Sequence, residues 1–428
     1  MTARESTASE IREPDSLPDP ARPAGDPDER LPFDHVVVVM MENHSFDNLL
    51  GALARAGQPG ADGLTFDAAG TATNSNPGVA GTPPVVQAFP LQSTAQGTQV
   101  SQTWNATHEQ IDGGRMDGFV RSVASTQPMG YYTPEVLPFA YSLASTFTVA
   151  NRWFASAPCQ TIPNRRFLLA GTAFGAIATD VPTLFDGSPP NGTIFDRLNA
   201  HGIGWPNYFT DLPATIVIPS IVERHFTHLR PIERFYEDCA NGSLPAVSFV
   251  DAEAGVLAFT GQLLAKLPVL SEIGARLETH GTSEEDPQDL RHGERWAHRV
   301  IDAVLRSPLW PRTLLLYTYD EHGGYYDHVP PPPAIPPDSI PPKLAATDAP
   351  GGYDIYGLRV PAVVVSPHSK PGAVTDVVHD HTSVLATIEA KWNLPALTRR
   401  DANAATVLDF LDLEHAAFTS PPAIAAPL

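Results

Sequence analysis

A run of β-branched and apolar residues that stops abruptly at acids constrains this chain most: Val36 to Gly51 reads VVVVMMENHSFDNLLG. A strand buried on both faces reads as a continuous apolar run, and in an open α/β sheet ligands bind beyond the carboxyl ends of such strands. Residues 36–40 are therefore expected to form a central strand, with Glu42 and Asn43 at its carboxyl end. Asn43, Ser45 or Asp47 would equally serve as cap for a helix starting near Phe46, since Ser, Asp and Asn are the usual N-caps. One cap does not need Glu42 as well. On this segment alone a capped helix start and a metal or phosphate site stand level.

The pattern recurs in TLLLYTYDEHGGYYDHVPPP, where an apolar strand over 313–319 stops at Asp320 and Glu321, followed by His322 and Gly323-Gly324. Two acids at the end of a buried strand repel each other and are costly unless a cation or a shared proton neutralises them. The Gly-Gly pair lets backbone approach a ligand closely, which weakens the reading of solvated loop acids. If both strand ends face one crevice, Glu42, Asn43, Asp320 and Glu321 supply four oxygen-bearing side chains. That set suits Ca²⁺, Mg²⁺ or Mn²⁺, with Zn²⁺ as a borderline case.

Composition agrees with a large α/β domain. The chain has 428 residues, 42% of them hydrophobic, and a formal net charge of -21. Lysine occurs only at Lys266, Lys343, Lys370 and Lys391, so sequence-independent binding to nucleic acid or to an anionic membrane surface is excluded, as both need clustered cations. Cys159 and Cys239 cannot build a disulfide framework and are expected as small buried side chains, one bridge between them staying open.

Residues 1–31 are polar and proline-rich without an apolar h-region, and are expected to be a mobile leader before a single catalytic domain over 32–428. No stretch reaches the length of a membrane span. The expected location is cytoplasmic, a non-standard export route staying open, and the four sequons beginning at Asn43, Asn105, Asn191 and Asn241 carry no meaning there. The sequence sets no oligomeric state. Residues 57–97 read as a long loop excursion and 329–343 as an extended proline-rich loop. Strands are expected at 36–40, 147–149, 246–250, 313–319 and 360–365, and helices at 194–201, 292–306 and 383–392. Their alternation predicts a mainly parallel sheet between helical layers.

A third segment, APCQTIPNRRFLLAGT, offers a nucleophile. Thr161 precedes Pro163-Asn164-Arg165 and an apolar helix from Phe167. It is either that helix's cap or a hydroxyl activated by a cation and the positive end of the dipole. His108, in TWNATHEQIDGGRMDGFV, has Trp104 beside it and is weak evidence alone.

Together, ENHSFDNLLG, THEQIDGGRMDGF, TIPNRRFLLAGT, NGSLPAVSFV, YTYDEHGGYYDHVPPP, GLRVPAVVVSP and HDHTSVLATIEAKWNL resemble, in this order, the phosphoesterase family of bacterial and plant non-specific phospholipases C and related acid phosphatases. The resemblance implies an alkaline-phosphatase-like α/β/α fold. It also implies a divalent metal held by Glu42, Asn43, Asp320, Glu321 and the hydroxyl of Thr161, with Thr161 as nucleophile forming a phosphothreonine. Asn43 and His108 would contact the phosphoryl oxygens, His108 alternatively protonating the leaving alkoxide. His381 matches a family histidine and is a second candidate for phosphate contact, or a helix-cap neighbour.

The chain departs from the family pattern where many relatives carry a His-Pro pair: here Asp286-Pro287 stands. Asp286 would face the substrate, favouring diesters or a cationic head group, or would cap a helix entered at Pro287. The expected substrate is a phosphate ester, with phospholipase C-like hydrolysis of phospholipid leading and an acid phosphatase for monoesters second. A phosphoryl-ligand-binding protein with a degenerate site is the reading from another class. Choline specificity would need an aromatic cage, for which Trp104, Tyr131, Tyr132, Tyr325 and Tyr326 are available.

Overall fold

The computed structural model describes residues 11–179, 188–253 and 281–428. Its centre is an eight-stranded sheet. In chain order the strands are β1 (His35–Met41), β2 (Thr148–Ala150), β3 (Asn207–Phe209), β4 (Leu229–Pro231), β5 (Val247–Asp251), β6 (Thr313–Tyr319), β7 (Ala362–Val365) and β8 (Val374–Thr375). Their spatial order is β8-β2-β7-β6-β1-β5-β3-β4. β1 pairs in parallel with both β5 and β6, and only β7 runs the other way, antiparallel to β6 and β2. The mainly parallel α/β architecture expected from the sequence is therefore present. β1 and β6 sit side by side at its middle, buried along nearly their whole length, which is why both read as unbroken apolar runs.

Five helices matter for the site: α1 (Phe46–Leu50), α2 (Trp104–Ile111), α3 (Thr161–Ala170), α4 (Leu290–Leu305) and α5 (Thr382–Trp392). Ser45 caps α1, its hydroxyl accepting from the Asn48 N–H at 3.1 Å. α3 packs against α5. α4 turns Leu290, Ala297, Val300, Ile301 and Val304 to the core at helical spacing.

Several expectations are corrected. Residues 11–31 are not a free leader: the Asp15 N–H donates to the Ala396 carbonyl at 2.9 Å, Ala396 returns a bond to Ser16 at 3.1 Å, and Leu31 is buried. The Asn393 amide also donates to the carbonyls of Asp19, Arg22 and Pro23. Backbone groups of a proline-rich segment thus find partners in the C-terminal part of the chain. Asp286 does not cap a helix at Pro287; Asp289 caps α4, accepting from the Arg291 N–H at 3.0 Å. α3 begins six residues earlier than Phe167, with Gln160 at the cap position and Thr161 already helical. The 57–97 excursion holds a short hairpin, Ser75–Pro77 with Val85–Gln87. Both cysteines are free and buried, as expected of small buried side chains, and the bridge left open between them is not formed. Among the described residues no helix is long and apolar enough to cross a membrane.

Candidate active site

The carboxyl ends of β1 and β6 meet as the two acidic segments require. The Asp320 N–H donates to the Met41 carbonyl at 3.1 Å, and Asp320 Oδ1 accepts from the Asn43 N–H at 3.1 Å and the Glu321 N–H at 2.7 Å. Glu321 Oε2 accepts from the Gly323 N–H at 2.7 Å. Asn43 takes a left-handed backbone with φ 68°, and Gly323, with φ 66°, lies so close that a Cβ there would stand 2.0 Å from the Asn43 carbonyl oxygen. Glycine is the residue that such an approach admits.

Thr161 reaches the same edge from the first turn of α3. Its hydroxyl points at Asn43 Oδ1 at 3.5 Å. The Asn164 amide holds the preceding turn by donating to the carbonyls of Ala157, Cys159 and Gln160. One turn on from Thr161, on the same helix face, Arg165 places Nη2 3.0 Å from Glu42 Oε1 and Nε 3.4 Å from Asp320 Oδ2. The sequence reading passed over Arg165, although its i, i+4 relation to Thr161 was a usable signal.

Glu285 lies against Glu42, and Asp286 is near enough to raise both Glu285 and Glu321. Five carboxyls therefore gather at this edge, of which Glu42 and Asp320 face the guanidinium. Burial pushes Glu42 up to about 7 against the pull of Arg165, raises Glu321 and Glu285 well above the carboxylate range, and moves Asp286 up to about 7. Asp320 is raised too, burial outweighing Arg165 and the backbone donors. Several buried polar atoms here have no hydrogen-bond partner: Asp320 Oδ2, Glu321 Oε1, Asn43 Nδ2 and Arg165 Nε. Such atoms are rare in folded proteins and call for a ligand or ion. A hard cation fits this donor set, which has unpaired carboxylate oxygens and an excess of negative charge.

The histidines are placed differently from one another. His108 on α2 uses Nδ1 to donate to the Trp104 carbonyl at 2.7 Å and lies over the Trp104 ring at 4.3 Å. Its helix connects to the acids through Gln110, whose Oε1 accepts from His322 Nε2 at 2.7 Å, while His322 Nδ1 is 3.6 Å from Glu321. Burial depresses His322 to about 3, so it adds no positive charge. His381 is the N-cap residue of α5 without capping it through its side chain. Its Nε2 donates to the Asp320 carbonyl at 2.6 Å and its Nδ1 accepts from Trp153 at 3.4 Å. Both nitrogens are thereby engaged, and His381 braces the end of β6 instead of offering a donor to phosphate.

The aromatic residues set aside for a cage are core: Trp104, Tyr131, Tyr132, Tyr325 and Tyr326 are all buried. A second group has metal-like spacing, Asp47, Asp327 and His328. A cation already sits in it: Arg359 Nε donates to Asp327 at 2.8 Å and Nη2 to Asp47 at 3.2 Å.

The chain is similar to known proteins along most of its length. Non-specific phospholipase C1 of Arabidopsis thaliana is 32% identical over 406 residues, an alignment covering 88% of this chain and 70% of that protein. Non-specific phospholipase C6 of the same plant is 31% identical over 404 residues, covering 88% and 72%. A solved protein of the alkaline phosphatase superfamily from Vibrio parahaemolyticus aligns over 83% of this chain and 78% of its own at 10% identity and a TM-score of 0.36, a likeness too slight to bear on the site. The model of the Phosphoesterase family matches residues 33–395, a span that holds both acidic strand ends, Thr161 and His381. With strands, acids and hydroxyl arranged as described, this chain belongs to the Phosphoesterase family and is a phosphoric ester hydrolase.

Proposed function

We propose that the protein is a metal-dependent phosphodiesterase of the phospholipase C type, cleaving a phospholipid into diacylglycerol and a phosphorylated head group. The observation that carries this reading is the set of unpartnered buried oxygens on Asp320 and Glu321 at the strand edge where Asn43, bonded through its N–H to Asp320, faces the Thr161 hydroxyl. Glu42, Asn43, Asp320, Glu321 and Thr161 would hold one divalent cation, which when bound neutralises phosphoryl charge and favours the alkoxide form of the hydroxyl. The names of the plant relatives support the phospholipid substrate.

In this reading Thr161 Oγ attacks phosphorus, the Oγ–P bond forms as the bond to the diacylglycerol oxygen breaks, and a phosphothreonine results. Water then cleaves that ester and frees the phosphorylated head group. Asn43 Nδ2, a buried donor without a partner, is available to a phosphoryl oxygen. His108, with Nδ1 committed to Trp104, takes the Thr161 hydroxyl proton at Nε2 and passes it to the leaving diacylglycerol oxygen, and in the second step takes one from the attacking water and returns it to Thr161 Oγ. Asp286, pushed up to about 7 by burial, favours diesters over monoesters in its ionised form, because a monoester near pH 7 carries close to two negative charges and a diester one, whereas Glu285, raised well above the carboxylate range, adds no such repulsion. At ~4 Å and an effective dielectric near 20, each extra carboxylate–phosphate pair costs on the order of 4 kcal/mol.

The test compares phosphatidylcholine, a soluble diester and a phosphomonoester, with and without chelator. Diester turnover at least tenfold above monoester turnover, abolished by chelation and restored by a divalent ion, is the expected result. Full activity in chelated protein overturns the metal. Faster monoester turnover makes the enzyme an acid phosphatase.

A further inference from the structure

Arg165 is a cation built into a site whose carboxylates, on the reading above, bind another cation. Its side chain is 7% exposed, as is that of Glu42, and Asp320 is fully enclosed. Nη2 is fixed by three acceptors, Glu42 Oε1 at 3.0 Å and the carbonyls of Met40 and Met41 at 3.3 and 3.5 Å. Nε faces Asp320 Oδ2 at 3.4 Å, yet neither atom has a hydrogen bond. The two acids are therefore held unequally. Glu42 is hydrogen-bonded to the guanidinium, while Asp320 feels its charge and keeps Oδ2 open. Behind Arg165 lies a small cavity lined by Arg165, Asn207, Thr215 and Asp251. Asp251 is itself buried and held by Asn207 at 2.6 Å and the Ala214 N–H at 2.7 Å, so the guanidinium has a carboxylate on either side.

We propose that Arg165 is a resident counter-ion that competes with the divalent cation for Glu42 and Asp320, keeping the empty site assembled and weakening its affinity for metal. The proposal rests on the metal reading. Its physics is Coulombic: a buried positive charge beside two ligands repels an incoming cation with little screening. In the absence of that cation, removing the guanidinium leaves buried carboxylates unpaired, which destabilises the fold. Arg165 acts here as a positioning residue, and the two effects have opposite signs. A merely structural arginine would lower stability without tightening metal binding.

The experiment titrates Mn²⁺ and Ca²⁺ into full-length protein freed of metal with chelator, by calorimetry, and records melting with chelator and with saturating ion. Arg165→Met is expected to bind either ion at least tenfold more tightly than wild type, to melt several degrees lower in chelator, and to recover most of that loss with ion. Arg165→Lys keeps a charge that reaches only one acid and is expected to bind threefold to tenfold more tightly; it carries the test if Arg165→Met does not fold. Binding by wild type with unchanged or weaker affinity in the variants overturns the role of Arg165 alone. Silence of wild type and variants together overturns the metal reading and this proposal with it. Silence of wild type with binding by a variant supports the competition.

Discussion

Two clusters of buried acids share the carboxyl edge of the sheet, and they differ in how their charge is answered. Around Asp47 and Asp327 every carboxylate oxygen has a partner. Arg359 bonds to both acids, the Val329 N–H reaches Asp327 at 2.9 Å, and His328 reaches Asp47 through its backbone at 2.8 Å and its ring at 2.7 Å. Asp62 joins through His328 Nε2 at 3.4 Å. Around Asp320 and Glu321, a single guanidinium answers only Glu42 and Asp320 among five neighbouring carboxyls, and two buried oxygens lack any hydrogen bond. Acidity and metal-like spacing do not separate a site from a structural network. What differs between these two clusters is the pair of oxygens left unanswered at the strand ends.

The largest expected effect strikes the unbalanced cluster. Thr161→Ala should lower turnover at least a thousandfold, about 4 kcal/mol of barrier, while melting stays close to wild type. Turnover near the wild-type rate, measured under substrate saturation, would remove Thr161 from the reaction and blur the distinction between the clusters. Next comes the balanced cluster, where Arg359→Met should cost about 3–5 kcal/mol in urea unfolding by stranding Asp47 and Asp327. Divalent ions should not restore that loss. Recovery with metal would mean that this cluster, too, is a cation site.

The smallest effect is one of pH. Burial pulls the His328 pKa down, but the hydrogen bond its ring donates to Asp47 and the charges of Asp47 and Asp327 outweigh it, and the net shift is upward. A raised folded-state pKa adds stability that is fully present below the unfolded value, about 6.5, and is lost as pH rises through the folded value. Wild-type stability should therefore decline gently from about pH 6.5 upward. His328→Gln should flatten that part of the profile; an unchanged slope would show that His328 is neutral.

What the sequence made legible follows from burial. β1 and β6 were readable because strands covered on both faces spell unbroken apolar runs, and the acids at their ends stood out against that background. β7 was found as a strand but not in its reversed direction, which depends on the long connection from Gly324 to Ala362 and leaves no local mark. Arg165 was missed because a basic residue one turn into a helix reads as solvated until the strand ends that surround it are known. The segment 11–31 misled for the opposite reason. Its composition is that of a disordered tail, and the bonds that pin it lie near the other end of the sequence.

The contact between Gly323 and the Asn43 carbonyl carries a mechanical consequence. With a gap that a single methyl group would overfill, the two acid-bearing loops have no slack and are geared to each other. The separation of their backbones is consequently fixed by main chain. A variant that wedges this seam, such as Gly323→Ala, would push on Asn43 and spread the two loops while leaving every carboxyl of the site in the sequence.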